Sequence, residues 1–159
     1  MDKIIDNLYI GNVFEAISLL KDRGNFGAML SIGTEFIDDP LYSPYFICDK
    51  NFPHMILQLD DRSKNIREFI DAGVKFTEAN IDKCCFVHCA AGVSRSPSMV
   101  FAYLVNKGMK PLKAFELLTS TRTVACPHNI FIRDILRHYG FKDNDIGGIM
   151  YYIKSGVSY

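Results

Sequence analysis

CCFVHCAAGVSRSP, residues 84–97, runs from a short apolar stretch through a glycine turn to a proline that opens a helix-forming segment. The run at 84–88 is too short for an ordinary helix and reads as a central strand covered on both faces. Pro97 falls near a first helical position, where its missing N–H costs nothing, so 97–107 is expected to be a helix. Five residues separate Cys89 from Arg95, enough for the joining loop to curl back on itself. The backbone amides of Ala90, Ala91, Gly92, Val93 and Ser94 would then face one concavity at the positive end of the following helix, forming an anion cradle made of peptide dipoles. Gly92 permits the strained backbone such a turn needs. Arg95, at the loop's end, offers a planar fork for two oxygens of a phosphate, which Lys does not reproduce.

Outward from this stretch, strands are expected at 4–10, 28–32 and within 52–59, and helices at 13–22, 65–80, 112–121 and 129–139. Residues 39–44 hold two prolines and turn formers and read as loop. Strands alternating with helices indicate an α/β sandwich around a mostly parallel sheet. The segment beyond 141 contains Gly147-Gly148 and is set apart as a C-terminal tail, 142–159, behind a single unit at 1–141. Its pattern fits an ordered or a loose tail equally.

At 159 residues the chain fits one domain with a sizeable core. Lys plus Arg (18) balances Asp plus Glu (18), so the surface exerts no bulk attraction on nucleic acid or anionic membrane, and phosphate recognition must be local. The first ten residues lack the apolar core of a secretory signal, and no apolar run approaches the roughly 20 residues that span a bilayer. Cys48, Cys84, Cys85, Cys89 and Cys126 are odd in number and irregular in spacing. This argues against a disulfide framework and for a reducing compartment, cytoplasmic or nuclear. Cys84, Cys85, His88 and Cys89 resemble a metal cluster only superficially. Neighbours on a strand point to opposite faces and cannot converge on one ion, so neither metal nor cofactor is expected.

Cys89 lies at the bottom of the expected concavity, where the dipoles that bind phosphate also favour a thiolate. A thiolate beneath a bound phosphate is placed for in-line attack, with a phosphocysteine as intermediate. Ser96 can donate a hydroxyl hydrogen bond to the sulfur and help it depart. His88 is expected to brace the loop through its ring nitrogens.

With His before Cys, a central Gly and Ser after Arg, residues 88–96 resemble the HCxxGxxRS signature of the protein tyrosine phosphatase superfamily, and the rest of the chain resembles its small, atypical dual-specificity branch. Residues 5–12 are similar to that branch's first strand and turn, and 122–127 with Phe131 to its last loop and helix. The resemblance implies a three-layer sandwich, a twisted, mostly parallel sheet of about five strands with helices on both faces. It also implies a general acid ahead of the helix that follows it. Asp60 matches the spacing of the acid in Asp60-Asp61-Arg62-Ser63-Lys64-Asn65-Ile66, with Asp61 as the alternative. Thr123, where Pro is usual, and His128, where Asn is usual, depart from the pattern. Arg122 could touch a second phosphate or simply close a helix C-terminus. Whether Cys48 or Cys126 could pair with an oxidised Cys89 stays open.

The implied partner is a phosphorylated protein, with phosphotyrosine and phosphoserine or phosphothreonine as substrates. The loop has no basic residue besides Arg95, unlike relatives that act on phosphoinositides, and it ends in Arg-Ser, unlike those acting on RNA triphosphates. The alternatives are a catalytically weak phosphoprotein-binding module and a phosphatase for a non-protein phosphate.

Overall fold

The computed structural model describes residues 1–47, 49–62 and 65–156. Strands β1 (Asp2–Ile5) and β2 (Leu8–Gly11) lead into α1 (Val13–Lys21), β3 (Ala28–Ile32), the one-turn α2 (Glu35–Asp38) and β4 (His54–Leu57). They are followed by α3 (Ile70–Asn80), β5 (Cys85–His88), α4 (Arg95–Asn106), α5 (Pro111–Thr121), α6 (Asn129–His138) and α7 (Asp143–Ser155). The strands form one sheet in the order β1-β2-β5-β3-β4. β2, β5, β3 and β4 run parallel, and β1 is antiparallel at the edge.

Alternation along the strands divides the core into two layers. Met29 pairs with Phe86, and both pack under α1 with Val13, Ala16, Leu19, Phe36, Phe46 and Phe52. The intervening residues Leu8, Ile10, Leu30, Ile32, Cys85 and Val87 face the other way, toward α3, α4, α5 and α6. The result is the three-layer sandwich with β5 at its centre. Helix α4 is buried from Ser96 to Val105, as a helix covered by its neighbours must be. At Gly73 on α3 an added Cβ would lie 2.5 Å from Met99 Sδ on α4, so a residue without a side chain permits this approach.

The expected single strand at 4–10 is a hairpin. Asn7 adopts φ 65°, a left-handed conformation that Asn tolerates better than most residues, and the chain reverses there. The helix expected from residue 65 begins at Ile70. Ahead of it, Phe69 N–H closes a single turn on the Ile66 carbonyl at 2.9 Å and Ile66 is fully buried, so apolar spacing was spent on anchoring a turn. Cys84 stands outside β5, at φ 64° after the 3-10 turn Ile81–Lys83, so Cys84 and Cys85 do not share the strand geometry expected of them. Cys48, Ser63 and Lys64 lie outside the described residues, as do 157–159 at the end of the tail.

The tail is ordered as α7. Ile146 and Met150 are buried against the main core, and Ile149 and Ile153 pack beside them. Gly147 and Gly148 fall within the helix, where a Cβ would meet nothing. Ile146→Ala or Met150→Ala should therefore lower the unfolding free energy by about 2–4 kcal/mol, the cost of a truncated core side chain. Urea denaturation measures this. A loss below about 0.5 kcal/mol would place α7 outside the cooperative unit.

Candidate active site

The loop between β5 and α4 is held from outside through its carbonyls. Ala90 C=O accepts from Val13 N–H at 2.9 Å, Val93 C=O from Cys126 N–H at 2.7 Å, and Ser94 C=O from Ser98 N–H at 2.9 Å. The buried guanidinium of Arg122 donates from Nε to Gly92 C=O at 2.6 Å and from Nη2 to Ala91 C=O at 3.4 Å. With carbonyls turned outward along 90–94, the opposite edges of these peptides, their N–H groups, turn toward the loop's interior. Gly92 has φ 67°, and a Cβ on it would lie 2.3 Å from Arg122 Nη2 and 2.5 Å from the Gly11 carbonyl. Glycine is required there for conformation and for space alike.

Cys89 is buried at the start of the loop. Ser96 Oγ donates to Cys89 Sγ at 3.2 Å. His88 is fully buried and sits among Phe36, Phe46 and Phe86, with ring centroids 4.9, 5.4 and 5.7 Å away. Its Nδ1 lies 3.1 Å from the Cys89 carbonyl, which can only accept, so Nδ1 carries the proton. His88 Nε2 then accepts from Ser31 Oγ at 2.6 Å, and Ser31 Oγ accepts from His54 Nε2–H at 2.7 Å. Burial pushes the pKa of His88 down to about 3 and, with help from the Arg23 charge, that of His54 to about 4. Both rings are neutral at physiological pH, and His88 braces the loop as its position in the sequence implies.

Arg95 is gripped end-on by Glu35, Nη1 to Oε2 at 2.9 Å and Nη2 to Oε1 at 2.7 Å, while Nη1 also reaches the Leu59 carbonyl at 3.4 Å. This bidentate pair fixes the guanidinium plane beside Cys89. A cleft of about 400 Å³ opens here, lined by Thr34, Glu35, Asp60, Asp61, Arg62 and Arg95. Asp60 and Asp61 are both exposed in it. Asp60 Oδ1 accepts from Arg62 N–H at 2.9 Å, and Asp61 acts on Arg95 through its charge.

Arg95 thus joins two groups of residues: it lines the cleft with Asp60 and Asp61, and it lies within reach of the charge of Cys89, whose sulfur carries the Ser96 hydroxyl. Arg122 is neither a second phosphate site nor a bare helix terminator: it is a buried strut under the loop, its charge matched by Asp2 Oδ2 at 2.7 Å. His128 takes the capping part of the expected Asn, Nδ1 accepting from Ile130 N–H at 3.3 Å, while its own N–H reaches Ser94 Oγ at 3.1 Å. Cys89 and Cys126 are free thiols. Among the described residues no group of three or more His, Cys, Asp or Glu could hold a metal ion, and no helix is long and apolar enough to cross a membrane. Sequence reasoning missed Glu35, Ser31 and His54. A signal for Glu35 existed, because it follows the carboxyl end of a parallel strand, where sites in such sheets form.

A cysteine at the carboxyl end of a central parallel strand, followed by a loop bonded outward through its carbonyls and closed by an oriented arginine, is the arrangement of a protein tyrosine phosphatase-like fold. Residues 8–140 match the family described as "Dual specificity phosphatase, catalytic domain", and the chain belongs to it. Dual specificity protein phosphatase 1B of Arabidopsis thaliana is 32% identical over 141 residues, covering 85% of this chain and 79% of that protein. Human dual specificity protein phosphatase 9 is 26% identical over 140 residues, 84% of this chain but only 35% of the human protein. In three dimensions, a mouse putative dual specificity phosphatase complexed with zinc tungstate superposes with a TM-score of 0.71 at 22% identity, covering 91% of this chain and 90% of the mouse one.

The buried histidine also sets an acid limit on stability. As pH falls below about 6.5 the unfolded chain protonates His88, whereas the folded chain resists until about 3. Stability that is complete above about pH 6.5 is therefore lost on descending toward 3, by roughly 3 kcal/mol at pH 4 for this residue. Urea midpoints measured between about pH 7 and 4 should fall steeply for the wild type and less steeply for His88→Asn. Equal slopes would contradict the assignment.

Proposed function

We propose that the chain hydrolyses phosphate monoesters on protein side chains, phosphotyrosine as well as phosphoserine and phosphothreonine, through a phosphocysteine on Cys89. The observation that supports this most is the set of outward-bonded carbonyls at 90–94, because peptides held that way turn their N–H edges inward, as an anion cradle next to Cys89 requires. Family membership supports the reaction class. The tungstate named with the mouse structure is a tetrahedral oxyanion of the shape a phosphate ester would present.

In the first step the Cys89 thiolate attacks phosphorus in line, the bond from phosphorus to the substrate oxygen breaks, and an aspartic acid gives its proton to that oxygen. Asp60 is proposed as the acid on its spacing, with Asp61 in the same cleft as the alternative. In the second step water attacks phosphorus, the carboxylate takes the water's proton, and the sulfur leaves as a thiolate that Ser96 Oγ–H stabilises. The loop amides and Arg95 hold the equatorial oxygens throughout. Charge develops against fixed dipoles, which need no reorganisation during the reaction. No residue of this cycle requires a metal, and the exposure of Asp60 and Asp61 at the cleft supports a mouth shallow enough for short as well as long phosphorylated side chains.

Turnover of an aryl phosphate with wild type and variants tests the scheme. Cys89→Ser should abolish hydrolysis while retaining oxyanion binding; substantial residual turnover would remove Cys89 as nucleophile. Arg95→Lys should lower kcat about 10²–10³-fold, because a point charge does not replace the fork.

The acid is identified separately by the pH profile of kcat/KM. A bell is expected, since thiolate and protonated acid are needed together. Asp60→Asn should cost about 10²–10⁴-fold and flatten the alkaline limb, with Asp61→Asn close to wild type. The opposite result exchanges the two roles.

A further inference from the structure

We propose that the site takes a singly phosphorylated residue whose sequence neighbours are apolar, and that Phe14, Val124 and Ile130 contact those neighbours. This rests on the phosphatase reading and deepens it. Each segment that grips the catalytic loop presents an exposed apolar side chain close to its gripping atom. Val13 N–H holds Ala90 C=O at 2.9 Å, and the next residue, Phe14, is 70% exposed. Cys126 N–H holds Val93 C=O at 2.7 Å, and Val124, two residues earlier, is 54% exposed. His128 N–H reaches Ser94 Oγ, and Ile130, whose N–H turns back onto His128 Nδ1, is 40% exposed. One exposed apolar residue needs no explanation, but several spaced around a single short loop form a rim that peptide side chains can cover.

The rest of the mouth is unlike this rim. The cleft at Arg95 is lined by Glu35, Asp60 and Asp61, with Arg62 as the other guanidinium, and Arg95 itself is paired with Glu35. A second phosphate landing on Phe14 and Val124 or in the cleft at Arg95 would meet an apolar rim or an excess of carboxylates, both unfavourable, and the guanidiniums of Arg67 and Arg137 that lie beside Ile130 are both paired with Asp134. Arg122, the cation suited by sequence position to a second phosphate, is buried and committed to Gly92, Ala91 and Asp2. Discrimination therefore comes from what the mouth repels as well as from what it covers.

The experiment compares kcat/KM for matched phosphotyrosine peptides with Leu or Val on both sides of the phosphoresidue, with Glu on both sides, or with a second phosphate two residues away. A small aryl phosphate, which extends no further than the loop, is the reference. Wild type should favour the apolar-flanked peptide by about tenfold over each of the others. In Phe14→Ser combined with Val124→Ser, the ratio of that peptide's rate to the aryl phosphate's rate should fall about tenfold. Equal rates on all peptides, preference for the doubly phosphorylated one, or an unchanged ratio in the variant overturns the inference while aryl phosphate turnover leaves the phosphatase reading standing. Without aryl phosphate turnover both fall. Association of the rim with neutral phospholipid vesicles or with a second copy in sedimentation, unaccompanied by peptide preference, overturns it as well.

Discussion

The loop at 89–95 works only if its peptides stand with their carbonyls outward, and the rest of the chain supplies the donors that hold them there. Left alone, a short strand-to-helix connection samples many conformations, and fixing each residue costs about 1–2 kcal/mol of backbone entropy. Here the cost is offset by bonds from α1, from the segment before α6 and from Arg122. Arg122 is the most demanding of these because a buried guanidinium needs a full complement of partners. Two loop carbonyls and Asp2 provide them. The geometry at Cys89 therefore draws on residues as far apart as Asp2 and His128, and the edge strand β1 contributes the carboxylate that keeps the strut neutral.

The parallel order of β2, β5, β3 and β4 brings these parts to one edge. The segments that follow their carboxyl ends carry Asn12 and Val13 after β2, Glu35 after β3, Asp60 and Asp61 after β4, and the loop at 89–95 after β5. β5 lies between β2 and β3 although it follows both in sequence, and its connection leads into α4 on the opposite face from α1 and Phe36, so neighbouring connections diverge and a crevice opens above it, the usual place for a site in an open α/β sheet. The antiparallel β1 adds no loop to that edge. It enters the site only through Asp2.

How much of this was legible in the sequence depended on the range of the interaction that fixes each part. The strand, turn and helix at 84–97 are decided by local chemistry: an apolar run, a glycine and a proline at a first helical turn. Cys89, Arg95 and Ser96 could be placed from that alone. The hairpin hidden in 4–10 turns on the left-handed Asn7, a signal of one residue inside an otherwise strand-like pattern. The early start assigned to α3 followed apolar spacing at Ile66 and Phe69 that the fold uses to anchor a turn. Ser31 and His54 were not legible because nothing local marks them: their partners lie 57 and 23 residues away. Glu35 carried only the signal of its place after a strand end, and its partner Arg95 lies 60 residues away. Arg122 was legible in part: it does close α5, its N–H bonding the Leu118 carbonyl, a local position, whereas its contact with Gly92, 30 residues back, is not local.

The Glu35–Arg95 pair raises a physical question that the chain's composition answers. A carboxylate clamped on the guanidinium proposed to hold phosphate would weaken the site's attraction for a dianion, which looks counterproductive. Its gain is orientation. Arg has five donors, and the end-on grip of Glu35 uses one on each terminal nitrogen, so further N–H groups stay available in a plane already set. The rotamer entropy of a long side chain is then lost on folding rather than on binding, when it would weaken affinity or slow the reaction. What the clamp removes in charge the loop must supply in directed dipoles, which act over a few ångströms and attract nothing at a distance. A protein with equal numbers of acidic and basic residues is suited to that arrangement: with no bulk charge to gather polyanions from solution, the proposed phosphate site would have to select by shape and amide direction.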